Sequence, residues 1–342
     1  MIWRSLGAGE AASSARLAPC FDNIVETVVL VVDLTARSDG RLEKQQPVPY
    51  KQRGFAEQQQ AWSGREVEMT EEYQDISVER LREYMARRQE NDYLLVDVRQ
   101  PDEYAKGHIP GAVLMPLGEI PERMRELPVD KDIVVYCRSG KRSRGAAIFI
   151  GSRPYVAGTV FNMTGGVLAW DGELLPATPN LKVFNLAGDS QELLLKAMDL
   201  ERGAERFYAA LRQRYGSIPW AESLATLAEA EEAHARMIYR HWAEGQSHPP
   251  EFALIYERLA GDIVEGGYSC AALVAMLEEQ PLEPCRSTLE MALAIEYSAY
   301  DLSRNMAHRF RGQPMEAVFN AIAEAEKEHM RIAARALALC GH

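Results

Sequence analysis

Two copies of one spacing in the last third of the chain hold the residues best suited to chemistry. Glu201 is followed thirty residues later by Glu231-x-x-His234, and Glu296 thirty residues later by Glu326-x-x-His329. The surroundings repeat as well: AMDLE answers ALAIE, and LAEAEEAH answers IAEAEKEH. One Glu-x-x-His is a weak signal; two in register are a strong one. Four carboxylates and two imidazoles suit a pair of iron or manganese ions. Four helices facing one another can present such a set.

The elements that must carry them are helices, because positions three, four and seven apart share a helical face. Around Glu201 that face holds Leu194, Ala197, Met198, Ala204, Tyr208 and Leu211. Around Glu231 it holds Leu224, Leu227, Ala228, His234, Ile238 and Trp242. Glu296 lies among Leu289, Ala292, Leu293, Ala299 and Tyr300, and Glu326 among Phe319, Ile322, Ala323, His329 and Met330. Each carboxylate therefore falls inside an apolar stripe. Unpaired, each would cost several kcal/mol to bury, and two divalent ions would offset that cost. The alanines beside the ligands leave room for metal and a small oxidant. Glu229 and Glu324 fall off this face and are expected in solvent.

Residues from about 188 to 340 resemble the ferritin-like diiron superfamily, specifically its rubrerythrin branch. The resemblance implies a four-helix bundle and a diiron (or dimanganese) centre on Glu201, Glu231, His234, Glu296, Glu326 and His329. It implies Tyr208 as the tyrosine that hydrogen-bonds a ligand carboxylate. The symmetric position is Ser303, so Tyr300 or Tyr297 would have to substitute. The chain lacks the paired Cys-x-x-Cys of a rubredoxin-like module, so electrons would come from another protein. A homodimer is a further implication of the family.

A second reactive group lies upstream. Residues 93–98, Tyr-Leu-Leu-Val-Asp-Val, read as a buried strand, and Ile133–Tyr136 as another that ends on Cys137. After it, Arg138, Ser139, Gly140, Lys141, Arg142 and Ser143 lead into an apolar helix. A strand, a tight loop and a helix start direct backbone N–H groups at the loop centre and favour an anion. Three cationic side chains beside Cys137 would also favour its thiolate. A cysteine phosphatase would need Arg where Ser143 stands, so the loop fits sulfur transfer better than phosphoryl transfer.

This region resembles a single rhodanese domain, through LLVDVRQPDEYAKGHIPGAVLMP, CRSGKRS and NMTGGVLAW in that order. The resemblance implies that Cys137 takes a sulfane sulfur from a donor such as thiosulfate and passes it to a thiol or cyanide. Residues 138 to 142 would cradle the persulfide, Asp97 and Arg99 would set the loop, and His108 would pack within the fold. The stretch GSRPYVAGTV departs from the usual helix end and would alter a nearby surface.

The expected architecture is two domains: an α/β rhodanese-like fold over 71–178, a linker over 179–188, and an all-α ferritin-like bundle over 189–342. Helices are expected near 190–215, 219–243, 286–311 and 314–338, with a long crossover over 246–285. Residues 1–70 resemble neither domain and read as a disordered or mis-annotated extension, with translation starting at Met69. Their apolar run from Ile24 to Leu34 is too short and charged to span a membrane, and with no apolar core after a basic start a secretory signal is not expected. A net charge of −12 argues against nucleic-acid binding. Five scattered cysteines give no disulfide framework, so Cys20, Cys270, Cys285 and Cys340 are expected as reduced thiols of a cytoplasmic protein. The expected function is sulfur transfer joined to peroxide reduction or oxygen activation. The alternative is a metal-binding or sensing bundle without turnover, beside a rhodanese domain that carries sulfur to a protein partner.

Overall fold

The computed structural model describes residues 73–279 and 283–341. The expected extension over 1–70 lies outside them, as does Cys20. In chain order come β1 (Gln74–Ile76), α1 (Val78–Arg87), β2 (Tyr93–Asp97), α2 (Pro101–Lys106), β3 (Val113–Leu114), α3 (Ile120–Arg123), β4 (Asp132–Tyr136), α4 (Lys141–Gly151) and β5 (Val160–Met163). The helical part follows: α5 (Ser190–Tyr215), α6 (Pro219–Glu244), α7 (Phe252–Tyr256), α8 (Cys270–Glu278), α9 (Pro284–Arg309) and α10 (Pro314–Leu337).

The five strands form a parallel sheet in the order β1-β5-β4-β2-β3. Every residue of β2 is buried, as a strand covered on both faces must be. Leu94, Val96, Ile133 and Val135 point to the side of α3 and α4, where Ile120, Ala146 and Ile150 meet them. Leu95, Val134 and Tyr136 point the other way, towards Leu81 of α1 and Tyr104 of α2.

The four long helices pack as two hairpins, α5 with α6 and α9 with α10. Asp189 caps α5 by accepting from the Glu192 N–H at 2.9 Å. Gly216, at φ +70, turns the chain out of α5, and proline opens α6, α9 and α10 where a missing N–H does no harm. Two apolar clusters stack along these helices. One holds Leu194, Met198, Ile238, Met306 and Phe319; the other holds Phe207, Leu211, Leu224, Leu227 and Leu289. Cys285 and Cys340 are joined as a disulfide that ties the start of α9 to the end of the chain. This corrects the expectation of reduced thiols at both positions and removes that support for a cytoplasmic location. Among the described residues no helix is long and apolar enough to cross a membrane.

The α/β and helical parts share a buried polar seam. Glu90 is fully shielded and pairs with Arg304 (2.9 Å) of α9 and with Lys327 of α10, while the hydroxyls of Tyr93 and Tyr300 donate to it at 3.0 and 2.9 Å. Nearby, Asp301 meets His108 Nε2 at 3.1 Å and accepts the Gly111 N–H at 2.7 Å. Tyr300, a candidate to back the second pair of ligands, is thereby turned to the seam. Removing one partner of a buried ion pair leaves an uncompensated charge. Glu90→Ala is accordingly expected to lower the unfolding free energy by about 3–5 kcal/mol, measurable by urea denaturation; an unchanged midpoint would contradict the seam's role.

Candidate functional site

Cys137 sits where β4 runs out and the chain must turn into α4. Gly140 makes that turn at φ +89 and brings its N–H to 3.2 Å from Sγ. The loop is braced from behind by residues after β5: Val167 and Leu168 donate to the carbonyls of Cys137 and Arg138 at 2.9 and 3.0 Å. Gly166 packs so closely there that a Cβ would stand 2.3 Å from the Cys137 carbonyl oxygen. Asp97 and Arg99 form a buried pair at 2.6 Å, and Arg99 also donates to the Gly107 carbonyl at 2.7 Å.

Burial works against the Cys137 thiolate, but hydrogen bonds from the Ser143 hydroxyl and the N–H groups of Ser143, Ser139 and Gly140 outweigh it and lower the thiol pKa. The cations contribute differently from the sequence expectation. Arg138 and Lys141 are exposed, and Arg142 is clasped by both oxygens of Glu103 at 2.7 Å. That clasp holds the Glu103 carboxyl down at about 2. Sequence reasoning missed Glu103, and also Asn162 of β5, whose Oδ1 lies 2.7 Å from the Ser143 hydroxyl and whose amide donates to Asp75 at 2.7 Å. Neither has a motif spacing to Cys137; the parallel sheet brings them together.

The six residues of the helical repeat converge. His234 Nδ1 lies 3.3 Å from Glu201, 3.6 Å from Glu231 and 3.7 Å from Glu326. His329 Nδ1 lies 3.1 Å from Glu296 and 3.2 Å from both Glu231 and Glu326. Glu231 and Glu326 thus serve both imidazoles, whereas Glu201 and Glu296 serve one each. The two rings stack at 4.4 Å, and Tyr208 donates to Glu296. A metal fits this donor set on one particular observation. Glu201 Oε2, Glu326 Oε2 and His234 Nδ1 are buried yet have no hydrogen-bond partner, and polar atoms are rarely left so.

Electrostatics agree. Burial pushes the Glu231 carboxyl well up and that of Glu296 up to about 7. Burial disfavours both imidazolium ions, but the surrounding carboxylates outweigh it and raise His234 and His329.

A model of the rhodanese-like domain matches residues 80–173. A sulfurtransferase of Allochromatium vinosum is 48% identical over 85 residues, which span 25% of this chain and 78% of that protein. The putative sulfurtransferase YtwF of Bacillus subtilis is 38% identical over 105 residues, 31% of this chain and 97% of that one. This chain belongs to the rhodanese-like family. A third relative, the thiosulfate sulfurtransferase GlpE of Pseudoalteromonas translucida, is 34% identical over 80 residues, 23% of this chain and 74% of that protein. The rhodanese-like match includes Cys137 and its whole loop and ends before α5.

Two outcomes follow. Ser143→Ala should raise the Cys137 pKa, so that alkylation at neutral pH slows and its pH–rate midpoint moves up; identical profiles would show that the hydroxyl does nothing. At the helical site, a bound metal would have to displace protons from Glu296 and the imidazoles. Cobalt(II) affinity of the full chain should therefore rise with pH, by roughly tenfold or more per unit across the neutral range. Equilibrium dialysis would read this, and a flat profile would refute it.

Proposed function

We propose that the chain is a rhodanese-type sulfurtransferase joined to a ferritin-like diiron centre of the rubrerythrin kind. For the first half, the supporting observation is a cysteine whose sulfur receives hydrogen bonds inside a strand–loop–helix turn, in a domain of the rhodanese-like family. The Cys137 thiolate attacks the outer sulfur of a donor such as thiosulfate. The S–S bond of the donor breaks, sulfite leaves with the bonding electron pair, and Cys137 carries a persulfide. A thiolate or cyanide then takes the outer sulfur and restores the thiolate. The N–H groups of residues 139, 140 and 143 hold the negative charge in both directions. Arg138 and Lys141, both exposed, are placed to meet an anionic donor.

For the second half, the supporting observation is the gathering of four buried carboxylates around two imidazoles, with three of these side-chain atoms left without a hydrogen-bond partner. Glu201, Glu231, His234, Glu296, Glu326 and His329 would hold the two ions. Iron bound there would supply the electrons for reducing peroxide or activating oxygen, replenished by an external donor protein; manganese would use the same donors. Tyr208 orients Glu296, and the flanking apolar clusters keep bulk water out.

One observation favours a second reading, a metal or oxidant sensor without turnover. Helix α9 carries Glu296 and, one turn on, Tyr300 and Asp301, which grip the rhodanese-like domain. Variants separate the two readings. Cys137→Ser should abolish thiosulfate-dependent sulfur transfer and leave metal content unchanged. Glu231→Ala should lose metal and leave sulfur transfer within about twofold of the parent, the scatter expected of a site that does not couple. A large loss of sulfur transfer in Glu231→Ala would favour the sensor, and persistence of transfer in Cys137→Ser would overturn the first assignment.

A further inference from the structure

Glu265 belongs to no repeat and lies outside the four long helices, yet it is only 6% exposed. It stands in the crossover between α6 and α9, in a tight hairpin. Ile263 and Ser269 form an antiparallel bridge, Val264 donates to Tyr268 at 3.0 Å, and Gly267 donates to Val264 at 2.9 Å. Gly266 and Gly267 both take φ +81, a left-handed conformation that suits glycine and makes the turn this sharp.

The hairpin is driven into the bundle between the two helices that carry the single glutamates. At Gly203 of α5, two residues after Glu201, a Cβ would stand 2.0 Å from the Ile263 carbonyl oxygen. At Gly266 a Cβ would touch that of Ser298 on α9, two residues after Glu296, at 3.4 Å. Asn180 fixes the loop from outside by donating to the Gly266 carbonyl at 3.2 Å. The hairpin thus buries Glu265 between the helices of Glu201 and Glu296; burial first, and then the charges of Glu201, Glu326 and Glu296, push its carboxyl pKa well up. Among the described residues no cation pairs with it and no side chain donates to it. A fifth buried carboxyl under the charge of three others costs free energy that incoming positive charge would offset.

We propose that Glu265 is a seventh ligand of the metal pair, supplied by the crossover. The proposal rests on the two-metal reading of the helical site. With two imidazoles and five carboxylates the site carries one more negative charge than two divalent ions neutralise. It would therefore favour the higher oxidation state. The hairpin also makes the crossover part of the centre, so ordering of residues 263–269 and metal occupancy would be linked.

The test is a cobalt(II) titration of the full-length chain and of Glu265→Gln, followed by d–d absorption and by metal analysis after dialysis, with circular dichroism to verify the fold. Two cobalt ions in the parent, and in the variant one of the two bound about tenfold or more weakly with altered d–d bands, is the expected result. Should Glu265→Gln fail to fold, Glu265→Asp keeps the charge but shortens the reach, and the same one-site weakening is expected. Parental affinity and spectrum in a folded variant would overturn the assignment of Glu265 while leaving the other six ligands standing. A parent that binds no cobalt would remove the two-metal reading and this inference together.

Discussion

The removal of charged groups from water governs this structure. Glu201, Glu231, Glu296 and Glu326 are each at most 2% exposed and stand in one layer with two imidazoles. Stacked apolar clusters flank that layer, so no solvent compensates it. Compensation has to come from inside, through protons on the imidazoles or through bound cations. The other details of the helical part serve this requirement. Alanines at 197, 204, 292, 299 and 323 keep the space open, Tyr208 spends its hydroxyl on Glu296, and Gly203 lets a backbone approach that any side chain would block.

The same constraint operates at lower charge between the two parts of the chain. Glu90 is matched there by Arg304, Lys327 and two tyrosine hydroxyls. The cations come from α9 and α10, which also carry Glu296 and Glu326. A rearrangement of the ligand layer therefore has a short, rigid route to β2 and to the segment around His108, which is stacked on Tyr104. Cys137 solves its own version of the problem mainly with N–H groups and one hydroxyl, with the Arg142 guanidinium nearby.

Much of this was legible in the sequence because it is periodic. The apolar stripes fixed α5, α6, α9 and α10 to within about two residues, the usual uncertainty of helix ends. The repeat spacing named the six converging side chains, and the buried runs named β2 and β4. What was not legible depends on contacts between segments with no common period. Glu265 is buried by a crossover hairpin, Glu103 reaches Arg142 from α2, and Asn162 reaches Ser143 from β5. Tyr300 shares the helical face of Glu296 but is claimed by Glu90 across the seam. Cys285 and Cys340 are too far apart in sequence for their pairing to show, although their helix ends meet. Helical periodicity tells which face is buried; it is silent on what the face is buried against.

The most direct test of the central claim is the metal content of the full-length chain, purified without oxygen and reconstituted with iron(II), followed by its optical spectrum on addition of hydrogen peroxide. Two irons per chain, with an absorption band of a coupled ferric pair developing as peroxide is consumed, is the result this account predicts. A folded chain that retains no iron would contradict it, and would leave a rhodanese-like domain attached to a helical bundle whose buried carboxylates are balanced by protons alone.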